Sequence, residues 1–257
     1  MSGRRLALRP DSRKAAICDF IENSGEASVE ILAEKFGASL ETIRRDLNAL
    51  ADVGRIRKVH GGAIRISTSK ESAFDARAKQ NTLAKRLIAE KLVSFVYPGQ
   101  SLFIDTGTTT LACADVLANI QDLKVITNSL HVAAAILSKG SSSKVTILGG
   151  TFRPDNTQTV GAATVAEIGR LWVDHAVLTI GTIDAAGAYD FSEEEALVAR
   201  AMCDSAAQLS VVADRSKLNR RSTYKVCDLN QIDRLILDSA PDAAILDAMR
   251  AADVDVL

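Results

Sequence analysis

The sequence predicts an α/β protein with a small helical head, resting on three observations. Residues 28–62 read as two short amphipathic helices joined through a glycine and followed by a basic strand pair with a Gly-Gly turn. After Pro98-Gly99, short apolar runs alternate with helical segments, the pattern of a mainly parallel sheet covered on both faces. The charge is split: residues 1–65 carry +3 and the remainder −4, within a chain of net charge −1. A length of 257 residues allows two modest domains, each able to bury a core. The expected boundaries are 10–65 for the head, 66–97 for a linker and connecting helix, and 98–257 for the body.

The head begins with a helix that Asp11 or Ser12 can cap, with Ile17, Phe20 and Ile21 as its core stripe and Gly25 at its end. Val29, Leu32, Ala33 and Phe36 recur at helical period behind the N-cap Ser28, and Gly37 stops that helix. Ser39 caps the next one. Its expected buried stripe is Leu40, Ile43, Leu47 and Leu50, with Gly54 as the stop. A helix, a tight turn and a second helix make a helix-turn-helix. The opposite face carries Thr42, Arg44, Arg45 and Asn48, residue types that suit phosphates and major-groove base edges. Arg57, Lys58 and His60 lie in the following strand pair, which fits a wing on the DNA backbone. Ser39, Thr42, Arg44, Arg45, Asn48, Arg57, Lys58 and His60 are therefore the candidate DNA-binding residues. A plain three-helix packing unit with a solvated basic face is the competing explanation, and the wing favours the DNA reading. A non-specific DNA-coating protein is disfavoured, because +3 is weak for that role.

The polar stretch from Ile64 to Ala73 reads as linker, and a helix is expected from Phe74 to Val96 on the spacing of Leu83, Leu87, Ile88, Leu92 and Val96. That helix would be the rigid lever between the linker and the body. Strands are expected at Ser101–Ile104, Lys124–Thr127, Lys144–Leu148, Ala176–Ile180, Leu209–Ala213 and Leu235–Leu237. Helices are expected near Thr109–Asn119, Val132–Leu137, Thr164–Leu171, Glu193–Ala207 and Asp242–Ala251.

Ligands of open α/β sheets bind at the carboxyl ends of strands, and the informative residues gather there. Asp105-Thr106-Gly107-Thr108-Thr109-Thr110 follows the first strand and opens a helix, a good anion cradle best suited to a phosphate. Three consecutive threonines exceed what capping alone needs. Further strand ends carry Asn128-Ser129, Gly150 with Arg153, Gly181 with Asp184, and Lys217. Together they outline a pocket for a polyhydroxylated, phosphorylated molecule. Hydroxyls would go to Asn128, Asp105, Asp184 and a Glu of the Glu193-Glu194-Glu195 triplet. Lys217 or Arg153 would neutralise the phosphate. The triplet also opens a helix, where dipole stabilisation explains it equally well.

Cys18, Cys113, Cys203 and Cys227 are dispersed, as are His60, His131 and His175, so neither a zinc site, another metal site nor a disulfide framework is expected. No cofactor is expected. Only Leu6-Ala7-Leu8 precedes Arg9, too little for a signal peptide, and no run approaches a membrane span; a cytoplasmic protein with no membrane partner is expected.

The order of these motifs resembles the DeoR-type bacterial transcriptional regulators. The matching residues are Ser39-x-x-Thr42-Ile43-Arg44-Arg45-Asp46-Leu47, Val59-His60-Gly61-Gly62-Ala63, Asp105 to Thr110, Thr127-Asn128-Ser129, Leu148-Gly149-Gly150, Gly181-Thr182-Ile183-Asp184, Glu194-Glu195-Ala196 and Asp214-Arg215-Ser216-Lys217. The resemblance implies a winged helix-turn-helix joined to a sensor domain of ribose-5-phosphate-isomerase-like fold. It implies a repressor of a sugar or polyol catabolic operon that answers to a phosphorylated intermediate. It places DNA contacts on Thr42, Arg44 and Arg45, and the effector site on Asp105, Gly107, Thr108, Thr109, Thr110, Asn128, Asp184, Glu194 and Lys217. Ser129, Gly150, Arg153 and Gly181 complete the candidate effector set. The expected partners are double-stranded operator DNA, the phosphorylated effector and further copies of the chain, as dimer or tetramer. The rival from another class is a sugar-phosphate isomerase with a DNA-binding appendage. Against it, Glu193 to Arg200 stands where such isomerases carry a glycine-rich, lysine-bearing segment, so no catalytic residue is assigned. A redox sensor is disfavoured, although Arg200 lies near Cys203.

Overall fold

The computed structural model describes residues 9–52, 55–65, 73–138 and 140–257. Gly54, the expected helix stop, and most of the expected linker lie outside the described residues. The chain divides into two compact units between residues 67 and 68.

The first unit runs α1 (Pro10–Ser24), β1 (Glu26–Ser28), α2 (Val29–Phe36), α3 (Leu40–Asp52), β2 (Arg57–Val59) and β3 (Gly62–Ile64). Neither Asp11 nor Ser12 caps α1; the helix starts at Pro10, whose fixed φ and missing N–H suit the first helical position. Ser28 accepts from the Ile31 N–H and caps α2, and Gly37 leaves it at φ 61°, a left-handed conformation that glycine adopts without strain. The Ser39 hydroxyl accepts from the Thr42 N–H at the start of α3. Ile43, Leu47 and Leu50 are buried as expected, but Leu40 is 42% exposed. Asp46 is buried on the same side of α3, since Arg13 of α1 donates to it at 2.6 Å. Burying that carboxylate is tolerable only because the guanidinium partners it. The three strands form an antiparallel sheet in the order β1-β3-β2, so the helix-turn-helix carries a wing.

The second unit opens with α4 (Phe74–Ala78) and α5 (Thr82–Leu92), followed by a single 3-10 turn. The expected continuous helix from Phe74 to Val96 is thus broken. Asn81 has φ 52° at the break, and the buried Lys85 ammonium donates to the carbonyls of Arg77 and Gln80 there. The buried stripe of α5 is Lys85, Ile88, Ala89 and Leu92, whereas Leu83 and Leu87 are exposed. Phe74 is buried against His131, ring centroids 4.9 Å apart.

Then follow β4 (Ser101–Ile104), α6 (Thr108–Leu117), β5 (Lys124–Thr127), α7 (Leu130–Leu137), β6 (Lys144–Ile147), β7 (Thr151–Arg153), β8 (Gln158–Val160), α8 (Ala162–Ile168), β9 (His175–Thr179), β10 (Thr182–Asp184), β11 (Gly187–Asp190), α9 (Glu193–Asp204), β12 (Leu209–Ala213), β13 (Tyr224–Cys227), β14 (Arg234–Leu237), α10 (Ala243–Ala251) and β15 (Asp255–Val256). Seven strands form one sheet in the order β15-β14-β12-β9-β4-β5-β6, with every neighbouring pair parallel. Alternate side chains feed two cores. Leu102 and Ile104 pack with α5, α6 and α7 on one face, and Phe103 packs with α8, α9 and α10 on the other. Two small antiparallel elements, the β7-β8 hairpin and the sheet β10-β11-β13, sit outside the main sheet. The sequence reading contained neither.

From β4 the chain fills the sheet outward through β5 and β6, then returns to β9 on the other side of β4. The carboxyl ends of β4 and β9 therefore form a topological switch point, the place where open α/β sheets bind ligands.

At the other end of β9, His175 is fully buried, its Nε2 2.8 Å from the Ser210 hydroxyl and its Nδ1 without a partner among the described residues. Burial pushes its pKa down to about 4, aided by Arg234 and opposed by Asp233. The folded ring stays neutral where the unfolded one takes up a proton. Its stabilising contribution is present above pH 6.5 and is lost as pH falls toward 4. Between pH 6.5 and 5 the second unit should lose about 2 kcal/mol from this group. Urea unfolding of the wild type should show that slope, and His175→Leu should flatten it.

Candidate functional site

In the first unit, Ser39 before α3 and Arg44, Arg45 and Asn48 on it are exposed, with Thr42 half-buried beside them. The Ser39 and Thr42 hydroxyls lie 2.8 Å apart, so part of their hydrogen-bonding capacity is turned on each other. Arg45 reaches Glu41 at 3.5 Å with both side chains mostly in water, a pairing too weak to hold the guanidinium back. Lys58 of β2 donates to the Asn48 side chain, tying the wing to α3. Arg57, Lys58 and His60 are all exposed. The structure thus brings the helix residues and the wing cations onto exposed surface of one small unit, which is what backbone contacts and groove readout need.

In the second unit, both oxygens of the buried Asp105 carboxylate accept from the Thr179 N–H, at 3.1 and 3.0 Å, across the switch point. Burial pushes the Asp105 carboxyl well above the usual range; the Thr179 N–H and the Thr110 hydroxyl pull it back, and Asp190 and Glu195 push it further up. Gly107 follows with its Cα against Thr179: a Cβ there would lie 2.1 Å from the Thr179 Cγ2. Thr108, Thr109 and Thr110 are buried, and the Thr110 hydroxyl donates to the carbonyls of Asp105 and Gly107. Asn128 accepts from the Thr106 hydroxyl and donates to Gln158 and to the Thr159 carbonyl.

Asp105, Thr106, Asn128, Gln158, Asp190, Glu195, Val198 and Ala199 enclose a cavity of about 10 Å³. That is room for about one water. Of the candidate set, Asp105 and Asn128 line it. Ser129 is buried as the N-cap of α7. Gly150 has φ 141° in a loop held by α8, where Thr164 donates to the Gly149 carbonyl and the Gly149 N–H donates to Glu167. Gly181 lies against the Phe191 ring. Asp184 pairs with Arg221 at 2.7 Å at the β10-β11 turn. Lys217 is half-buried in a 3-10 turn after β12 that Asp214 caps. Arg153 is paired twice, to Glu194 at 2.6 Å and Asp155 at 2.9 Å.

Sequence reasoning missed Gln158 and Asp190, which arrive on the small antiparallel strands and carried no motif. Thr106 and Glu195 stood inside quoted motifs but were not singled out. Among the described residues no group of three or more His, Cys, Asp or Glu is placed to hold a metal ion. The Cys203 thiol is pushed up by its hydrogen bond with Cys227 and by burial, and Arg200 donates instead to the Lys225 carbonyl. No described helix is long and apolar enough to cross a membrane.

A winged helix-turn-helix in one unit and a small polar cavity at the strand-end switch point of the other are the parts of a DNA-binding regulator with a sensor. Residues 13–69 match the DeoR-like helix-turn-helix domain and residues 80–239 the DeoR C terminal sensor domain. The chain belongs to the DeoR family of transcriptional regulators. The glycerol-3-phosphate regulon repressor of Haemophilus influenzae is 35% identical over 93% of this chain and 93% of its own length. Among solved structures, eIF2B beta from Chaetomium thermophilum shares the fold with TM-score 0.51 and 11% identity, over 95% of this chain and 69% of that one. Ribose 5-phosphate isomerase A from Neisseria gonorrhoeae matches 53% of each chain with TM-score 0.40 and 17% identity.

Proposed function

We propose that this regulator represses a sugar or polyol catabolic operon and is controlled by a phosphorylated intermediate bound at the β4/β9 switch point. In this reading residues 10–65 read the operator, 98–257 hold the effector, and 66–97 connect them in a symmetric oligomer whose paired heads match operator half-sites. The observation that carries it is the carboxylate-lined cavity beside the N-terminus of α6. Asp105, Asp190 and Glu195 suit hydroxyl donors and repel phosphate, whereas the backbone N–H groups from Gly107 to Thr110 suit the phosphate. Arg153 and Lys217 are the cations of the candidate set. A one-water cavity means that the ligand enters by displacing protein contacts, so binding and conformational change are linked. A coupling of ~1–3 kcal/mol changes operator affinity by ~5–150-fold. The name of the Haemophilus relative makes glycerol 3-phosphate the first compound to try.

The test is a gel-shift titration on DNA upstream of the protein's own operon, at one fixed salt concentration. Glycerol 3-phosphate and a panel of phosphorylated sugars and polyols are compared with their unphosphorylated parents. A shift altered by one phosphorylated compound and not by its parent is the expected result. A specific shift indifferent to the whole panel sinks the phosphate site.

A further inference from the structure

Glu195 stands in the first turn of α9 and lines the cavity beside Asp105. Its Oε1 accepts from two side-chain amides, Nδ2 of Asn156 at 3.0 Å and Nε2 of Gln158 at 2.7 Å. Both belong to the β7-β8 hairpin, and Thr157 between them has φ 52°. A β-branched residue rarely adopts that backbone, so the hairpin holds its two amides at a local cost. The Asn156 oxygen in turn accepts from Nη2 of Arg77 on α4, at 2.9 Å. Only one orientation of the Asn156 amide presents nitrogen to the carboxylate and oxygen to the guanidinium, so the bridge is directional. On the other side Gln158 accepts from Asn128, which accepts from Thr106. One continuous chain therefore runs Thr106, Asn128, Gln158, Glu195, Asn156, Arg77. It starts in the loop after β4 and ends on α4, the first described helix after residues 66–72.

We propose that Glu195 is an effector-reading residue, and that Asn156 and Arg77 are positioning residues that carry its state to α4; this rests on the effector reading above. A ligand hydroxyl that donates to Glu195 competes with the two amides for the same oxygen. Displacing the Asn156 amide loosens the tie of Arg77 to the hairpin, while Phe74 still stacks on His131 and the Lys85 ammonium still holds the Arg77 carbonyl. The cavity then reports to the end of the sensor unit where the chain leaves for the DNA-binding unit.

The experiment uses full-length protein and needs no effector for its first arm. Operator affinity is measured by fluorescence anisotropy at fixed salt for Asn156→Ala, Arg77→Met, the double variant, and Arg86→Met as a control on the exposed Arg86–Glu90 pair. Thermal unfolding is recorded for each. Breaking either link should change the operator Kd at least threefold without any added compound, the double variant should change it no further than the larger single, and Arg86→Met should leave it unchanged. Changes below threefold for both single variants, or full additivity in the double, overturn the relay. Should Asn156→Ala fail to fold, Arg77→Met decides alone. In the second arm, calorimetry with glycerol 3-phosphate and the same panel should show at least tenfold weaker binding by Glu195→Gln; wild-type affinity in that variant overturns its reading role. If the wild type binds no compound of the panel, the phosphorylated-effector reading fails, while the ligand-free operator affinities still decide the relay.

Discussion

Replacing Arg44 and Arg45 together by alanine should lower operator affinity by about a hundredfold at fixed salt and leave the unfolding of both units unchanged. Each exposed guanidinium that reaches a phosphate or a guanine edge is worth ~1–3 kcal/mol of binding, so a pair accounts for a loss of this size. Folding is spared because neither side chain is buried: Arg45 is 80% exposed and pairs with Glu41, which is itself largely in water. The loss should depend on salt in a telling way. A guanidinium that contacts phosphate removes about one unit from the slope of log K against log salt when it is deleted, and its loss weakens all sequences alike. One that reads a base should instead relax preference at a single position. Effector binding to the sensor unit should not change. Full operator specificity in the double variant would mean that α3 is not the recognition helix.

Gly107→Ala should disable the sensor while the DNA-binding unit continues to bind its operator. The backbone at Gly107 is extended, with φ −169°, so the objection to alanine is space and not conformation. A Cβ would lie 2.1 Å from Cγ2 and 2.9 Å from Cβ of Thr179, the residue whose N–H holds both oxygens of Asp105. The two strand ends must part, and the buried carboxylate loses its partner. Overpacking of this kind costs about 1–3 kcal/mol, which in a unit of this size lowers the unfolding midpoint by ~2–10 °C. The response to any effector should vanish with it. Thr179→Ser removes the methyl that the new Cβ strikes, so the Gly107→Ala/Thr179→Ser pair should recover part of the midpoint and of the response. If Gly107→Ala responds normally, the close approach of β4 and β9 is not needed for sensing.

The helix-turn-helix was legible because its signals are local. Ser28, Gly37 and Ser39 mark helix ends through bonds that span only a few residues, and Ile43, Leu47 and Leu50 repeat at the helical period. Leu40 was misread because periodicity cannot see that the buried side of α3 takes Asp46 instead, held by Arg13 thirty-three positions before it. The expected lever helix failed for a similar reason. Nothing in Phe74 to Val96 is a glycine or a proline, yet the Lys85 ammonium satisfies the carbonyls of a break at Asn81 and so stabilises two helices instead of one.

What the sequence by itself determined was the two-part organisation, the exposed polar face of α3, the central strands of the parallel sheet and the clustering of Asp105, Gly107 and Asn128 at strand ends. Each follows from period, capping or the geometry of strands alternating with helices. Only the tertiary structure decided which polar residues enclose the cavity. Gln158 and Asp190 come from short antiparallel strands with no pattern of their own, and Glu195, not Glu194, turns to the cavity because Arg153 holds Glu194. Three adjacent glutamates are equivalent to any local rule. A guanidinium on one strand and two amides on a hairpin, all distant in sequence, separate them.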